Sequence, residues 1–132
     1  MKISMIFYLF FEINIKEKKE ILIIRNDYQE IEKAMISIKV FKHGNELLIG
    51  ACDEELLGKK FVQGKRQIDV SNNFYKGDRI SVETLKKYLK CATIANLVGA
   101  KTVDCAVKMG IIDPDCILVI KGIPHAQMIR MI

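Results

Sequence analysis

The first thirty-four residues contain no glycine, proline, histidine, cysteine, valine or threonine. That absence removes the residues from which turns are built, so the segment lacks the punctuation that folded stretches need. Twenty of the thirty-four are Ile, Lys, Asn, Phe or Tyr, and six basic side chains balance six acidic ones. Residues 1–34 therefore read as translated upstream sequence with Met35 as the start. The alternative is an N-terminal extension with a strand or helix around Met5 to Phe11 and a charged linker. The apolar run there is cut by Glu12 and followed by no small-residue cleavage site, so a secretory leader or membrane span is not expected.

Other absences exclude chemistry. There is no Walker-type phosphate loop, no G-x-G-x-x-G, no H-E-x-x-H and no nucleophile elbow. The two histidines, His43 and His125, lie eighty-two positions apart, so any triad depends wholly on folding. Cys52, Cys91, Cys105 and Cys116 include no C-x-x-C pair. In a reducing cytoplasm they are expected as free, packed thiols, with no metal or other cofactor implied.

Residues 35–132 carry the whole net charge of +5, from fifteen Lys/Arg against ten Asp/Glu. This length and ordinary apolar content suit one globular domain, and the positive balance leans towards anionic partners such as RNA. Alternation in Ile36–Phe41 and Glu46–Cys52 around His43-Gly44-Asn45 predicts a hairpin. Asp53-Glu-Glu followed by Leu-Leu-Gly-Lys-Lys60 reads as one helical turn capped by Asp53. Arg66–Val70 is expected as a third strand, with loops around Phe74-Tyr75. Ser81 caps a helix expected to run to about Val98, and Ala100–Met109 a second, stopped by Gly110. Asp113-Pro114-Asp115 is a turn, Cys116–Lys121 a buried strand, and His125–Ile132 a final edge strand. The expected fold is α+β, a small, mostly antiparallel sheet with two helices packed on one face.

Four segments occur in order: Ala51-Cys-Asp-Glu-Glu-Leu-Leu-Gly-Lys-Lys-Phe61, Phe74-Tyr-Lys-Gly77, Ala92-Thr-Ile-Ala-Asn-Leu-Val-Gly99 and Gly122-Ile-Pro-His-Ala-Gln127. Together they resemble the archaeal domain-of-unknown-function family 424, over Met35 to the C-terminus. The resemblance implies an archaeal cytoplasmic protein, brings no mechanism with it, and lends some weight to a link with translation.

The residues themselves suggest two sites. Lys59, Lys60, Lys65 and Arg66 lie among aromatics, and with Tyr75 they suit phosphate contact and base stacking on RNA or a ribosomal particle. A polar cleft of Asp53, Glu54, Asn96, His125 and Gln127 is the alternative, for an enzyme or small-ligand protein. There, Gly122-Ile123-Pro124 would aim His125, through a bond open to the cis form. Each has a structural counterpart: a capping Asp53, a buried Asn96 bonded to backbone, a His125 that fixes a turn. A third class is a protein-interaction module or homodimer through an exposed edge strand near the C-terminus. The leading expectation is an RNA- or ribonucleoprotein-binding protein of the translation or RNA-processing sphere, not an enzyme.

Overall fold

A computed structural model describes residues 35–130 of the chain. The expectation for Met5 to Phe11 and the last two residues of the final strand lie outside them. Strands β1 (Ile36–His43) and β2 (Glu46–Asp53) form the hairpin that the Gly44-Asn45 turn dictates, with Ile38 opposite Ala51. A 3₁₀ turn, Glu54–Leu56, follows. Strands β3 (Lys60–Gln63) and β4 (Arg66–Asp69) then make a separate two-stranded sheet. One helical turn, α1 (Asn72–Tyr75), leads to β5 (Asp78–Ile80) and helix α2 (Val82–Cys91). The chain closes with β6 (Ile94–Val98), α3 (Ala100–Lys108), a 3₁₀ turn Pro114–Cys116, β7 (Leu118–Ile120) and β8 (Ile123–Ile129).

The main sheet has six strands in the order β5-β1-β2-β6-β8-β7. Its central pair, β2 and β6, is parallel and the other pairings are antiparallel. The α+β class holds, but the sheet is larger than the small one expected, and mixed.

The difference originates at Ala92. Ser81 caps α2 as the sequence indicates, accepting from the Thr84 N–H. The helix nevertheless stops at Cys91, seven residues short of Val98. Thr93 docks on the start of β2: its Oγ1 accepts from Leu47 N–H at 2.8 Å, and its own N–H donates to Leu47 O at 2.9 Å. Ile94–Val98 then pairs on both edges, with β2 and β8. A five-residue, mostly apolar run fits helix or strand equally by pattern, and two ladders of hydrogen bonds decide it. Arg130 secures the abandoned helix end, donating to Lys90 O at 2.9 Å and Ala92 O at 3.1 Å, where a cation also meets the negative helix terminus.

The C-terminal expectations change as well. The strand foreseen over Cys116–Lys121 is only Leu118–Ile120, and it is the sheet's edge, with Val119 54% exposed. The foreseen edge strand is interior, because β8 lies between β6 and β7. Every described peptide bond is trans, Ile123–Pro124 included.

Strand alternation divides the core in two. On one face Ile36, Ile38, Ile49, Ala51, Leu97 and Ala126 share a buried cluster with Leu85 and Leu89 of α2 and Val103 and Ala106 of α3. On the other, Cys52, Val98 and Ile120 pack with Ile68, Val70 and Tyr75, under the β3–β4 hairpin and α1. Ser37 ties α1 down, donating from Oγ to Tyr75 O at 2.8 Å and accepting from Gly77 N–H at 3.1 Å.

Candidate functional site

At the carboxyl ends of the parallel pair, α3 begins at Gly99 with its first N–H groups facing β2. This is where open sheets often bind an anion. Here the anion is internal. Asp53, 4% exposed, accepts from Lys101 N–H at 3.1 Å, Thr102 N–H at 2.9 Å and Thr102 Oγ1 at 2.8 Å. Gly99 makes the approach possible, since a Cβ on it would collide with the Asp53 side chain and its φ is +107°. The sequence expectation that Asp53 caps the turn following it is therefore corrected: that turn receives no bond from its side chain. Asp53 caps a helix forty-seven positions further on, because β2 and β6 are neighbours.

The polar cleft is not assembled. Asp53 lies on the Ala51 side of the sheet, while Asn96 and His125 alternate to the opposite face with Cys52 and Val98. Glu54 forms an ion pair with Arg79, and Glu55 one with Lys101. Asn96 is not in a helix, and it bonds a side chain rather than backbone: Gln127 Nε2 donates to its Oδ1 at 2.7 Å across the β6–β8 ladder. His125 stands half-buried between Val98 and Leu118, and burial lowers its pKa, favouring the neutral ring. Only Asn96 and Gln127 of the proposed cleft meet directly.

Cys52, fully buried on the same face, has its thiol pushed up to about 12 by burial and then by Asp53, Glu55 and Glu54. This holds it protonated and unsuited to nucleophilic work. Among the described residues no group of three His, Cys, Asp or Glu side chains is placed to hold a metal.

The basic residues fare differently. Phe61 and Ile68 face inwards and fix the β3–β4 hairpin on the sheet. Lys59, Lys60, Lys65 and Arg66 are consequently held outside, all exposed. Among the described residues none of the four forms an ion pair, although Lys60 lies across the ladder from Asp69. Gln63 Oε1 accepts from Lys121 N–H at 2.7 Å, so the β7–β8 turn sits against the hairpin. Lys121 is exposed and has φ +53°, the one described non-glycine residue in the left-handed region. Sequence reading missed it. The two-residue spacing between Ile120 and Ile123 was the available signal, since the type I′ form of such a tight hairpin turn needs positive φ at both central positions, here Lys121 and Gly122. Tyr75 must be withdrawn as a stacking residue. Its ring is 6% exposed, packed edge-on against Phe74 with centroids 4.8 Å apart, and burial pushes its hydroxyl up to about 12.

Comparison with known proteins agrees with this architecture. No curated protein matches the chain. The solved structure of an uncharacterized conserved protein from Methanopyrus kandleri is similar, with a TM-score of 0.55 at 24% identity, covering 74% of this chain and 95% of that one. At this identity the likeness speaks for the fold alone. A family model described as "Protein of unknown function (DUF424)" matches residues 41–131. The match takes in β2, both longer helices and the Asp53–Gly99 pair, and the chain belongs to that family.

Proposed function

We propose that the protein binds RNA, alone or within a ribonucleoprotein particle of the translation or RNA-processing sphere, through the β3–β4 hairpin and the adjoining Lys121. The grouping of exposed cations on neighbouring segments carries the reading. Arg79, Lys86, Lys101 and Lys108 each have a carboxylate partner. Lys59, Lys60, Lys65, Arg66 and Lys121 are exposed, on neighbouring segments, with no ion pair among the described residues. Unpaired cations held on a rigid, core-anchored hairpin keep their full field for an anion. The N-terminus of α3 does not compete for that role, because Asp53 fills it. The phosphate backbone of RNA is a repeating anion that five such cations can follow together.

Counterion release sets the test. Binding of the full chain to a single-stranded RNA is measured over a range of salt concentrations. Five phosphate contacts give a log–log slope of about −3.5, at about −0.7 for each. The Lys65→Glu/Arg66→Glu variant, with both changes on the exposed tip, flattens the slope and weakens binding. A slope near zero, or unaltered binding in the variant, removes the hairpin from the interface.

A further inference from the structure

The hairpin and α1 cover only part of their face of the sheet. Cross-strand register defines the remainder. One row is Lys39, Gly50, Asn96 and Gln127; the next is Phe41, Leu48, Ile94 and Ile129. Phe74 closes one side, lying against Gly50, where no side chain would fit, and stacking on Phe41 at 5.3 Å between centroids. Lys39 Nζ stands 5.3 Å from the Phe41 ring centroid and donates to Asn73 O at 2.7 Å. Beyond Phe74 the rows are open. Gln127 is exposed, Phe41, Leu48, Ile94 and Asn96 are half-buried, and Ile129 is 71% exposed.

The amide pair presents a defined pattern. The 2.7 Å bond uses Gln127 Nε2 as donor and Asn96 Oδ1 as acceptor. It leaves the Asn96 NH₂ as a donor and the Gln127 carbonyl as an acceptor on the same cross-strand pair. That is the complement of a nucleobase edge, while the apolar row offers a surface to the flat face of a base. The occupant is selected by charge: the same face is bordered by the hairpin that holds Lys59, Lys60, Lys65 and Arg66. An apolar peptide gains nothing from those cations, whereas a nucleic acid places its phosphates on them and its bases on the sheet.

We infer that this open half of the sheet binds unpaired nucleotides of RNA, with Asn96 and Gln127 reading a base edge and Phe41, Ile94 and Ile129 supporting the base faces. The inference rests on the RNA-binding reading above and gives it a substrate class, single-stranded rather than duplex RNA. An A-form duplex keeps its base faces stacked and its Watson–Crick edges paired, and its major groove is too deep and narrow to be read. It reaches only the cations.

The test compares two probes on the full chain: a single-stranded RNA of roughly 12 nucleotides and the duplex of the same sequence. The wild type favours the single strand by about tenfold or more. Asn96→Ala/Gln127→Ala removes that preference and leaves duplex binding as it was. Because Asn96 is half-buried, Ile129→Ala, at an exposed position, serves as a second variant and lowers single-strand affinity alone. Lys65→Glu/Arg66→Glu weakens both probes. Equal wild-type binding to the two probes, or a preference that survives both sheet variants, overturns the inference and leaves the hairpin reading standing. A concentration-dependent dimer that Ile129→Ala dissociates assigns the apolar row to a second copy and overturns it too. No binding to either probe removes both proposals.

Discussion

Asp53→Asn changes one oxygen for an amide at the point where β2 meets α3, and its cost can be worked from the contacts. The carboxylate accepts three hydrogen bonds, two from Thr102 and one from Lys101 N–H. An asparagine keeps one oxygen for Thr102 and turns its NH₂ towards the Lys101 N–H, leaving that donor unmatched. An unsatisfied buried donor costs about 1–3 kcal/mol. Loss of the negative charge at a helix N-terminus adds roughly 0.3–1 kcal/mol, more where the site is buried. The sum, on the order of 1–4 kcal/mol, lowers Tm by about 5 °C or more in a domain of this size. Thermal unfolding followed by circular dichroism reads it directly. RNA binding, measured well below the lowered Tm, stays unchanged because Asp53 faces away from the hairpin. A variant as stable as the wild type but impaired in binding or in any activity would refute the capping argument and make Asp53 a functional group.

Lys121→Asn should raise stability by about 0.5–1 kcal/mol, since asparagine tolerates the left-handed region better than lysine, while weakening RNA binding and flattening its salt slope. Chemical denaturation and binding measured together check both signs; lower stability contradicts the turn assignment. His125, held neutral by burial, binds fewer protons folded than unfolded just below its ordinary pKa. Its contribution to stability is complete above about pH 6.5 and declines as pH falls below that value. Urea midpoints of the wild type should therefore drop more steeply across that window than those of His125→Gln, and a parallel pair of curves would refute it. With a thiol reagent at pH 8, exposed Cys116 should react first and buried Cys52 only on unfolding. Early labelling of Cys52 would show that the face under the hairpin is open.

Local signals were legible where they needed no distant partner. The Gly44-Asn45 turn, the Ser81 cap and the Asp113 turn all follow from residues within a few positions. Ile94–Val98 was not legible, because its conformation is set by β2 and β8, which lie far off in sequence. Asp53 was rightly given a capping chemistry and assigned to the wrong helix, since only the parallel pairing reveals which N-terminus it meets. The same alternation that separates Asp53 from His125 brings Asn96 beside Gln127, a contact that a helix through Asn96 would have forbidden. The exposure of the hairpin cations was readable from composition. The burial of Tyr75 was not, as it depends on Phe74 and the sheet beneath.

The most direct measurement is co-sedimentation of the full chain with ribosomal subunits and total RNA from its own cells. It is run at low and moderate salt beside Lys65→Glu/Arg66→Glu. The account predicts co-migration that weakens with salt and is lost in the variant. Absence of co-migration at low salt, or co-migration that the variant retains, would contradict the central claim that the β3–β4 hairpin is an RNA-binding surface.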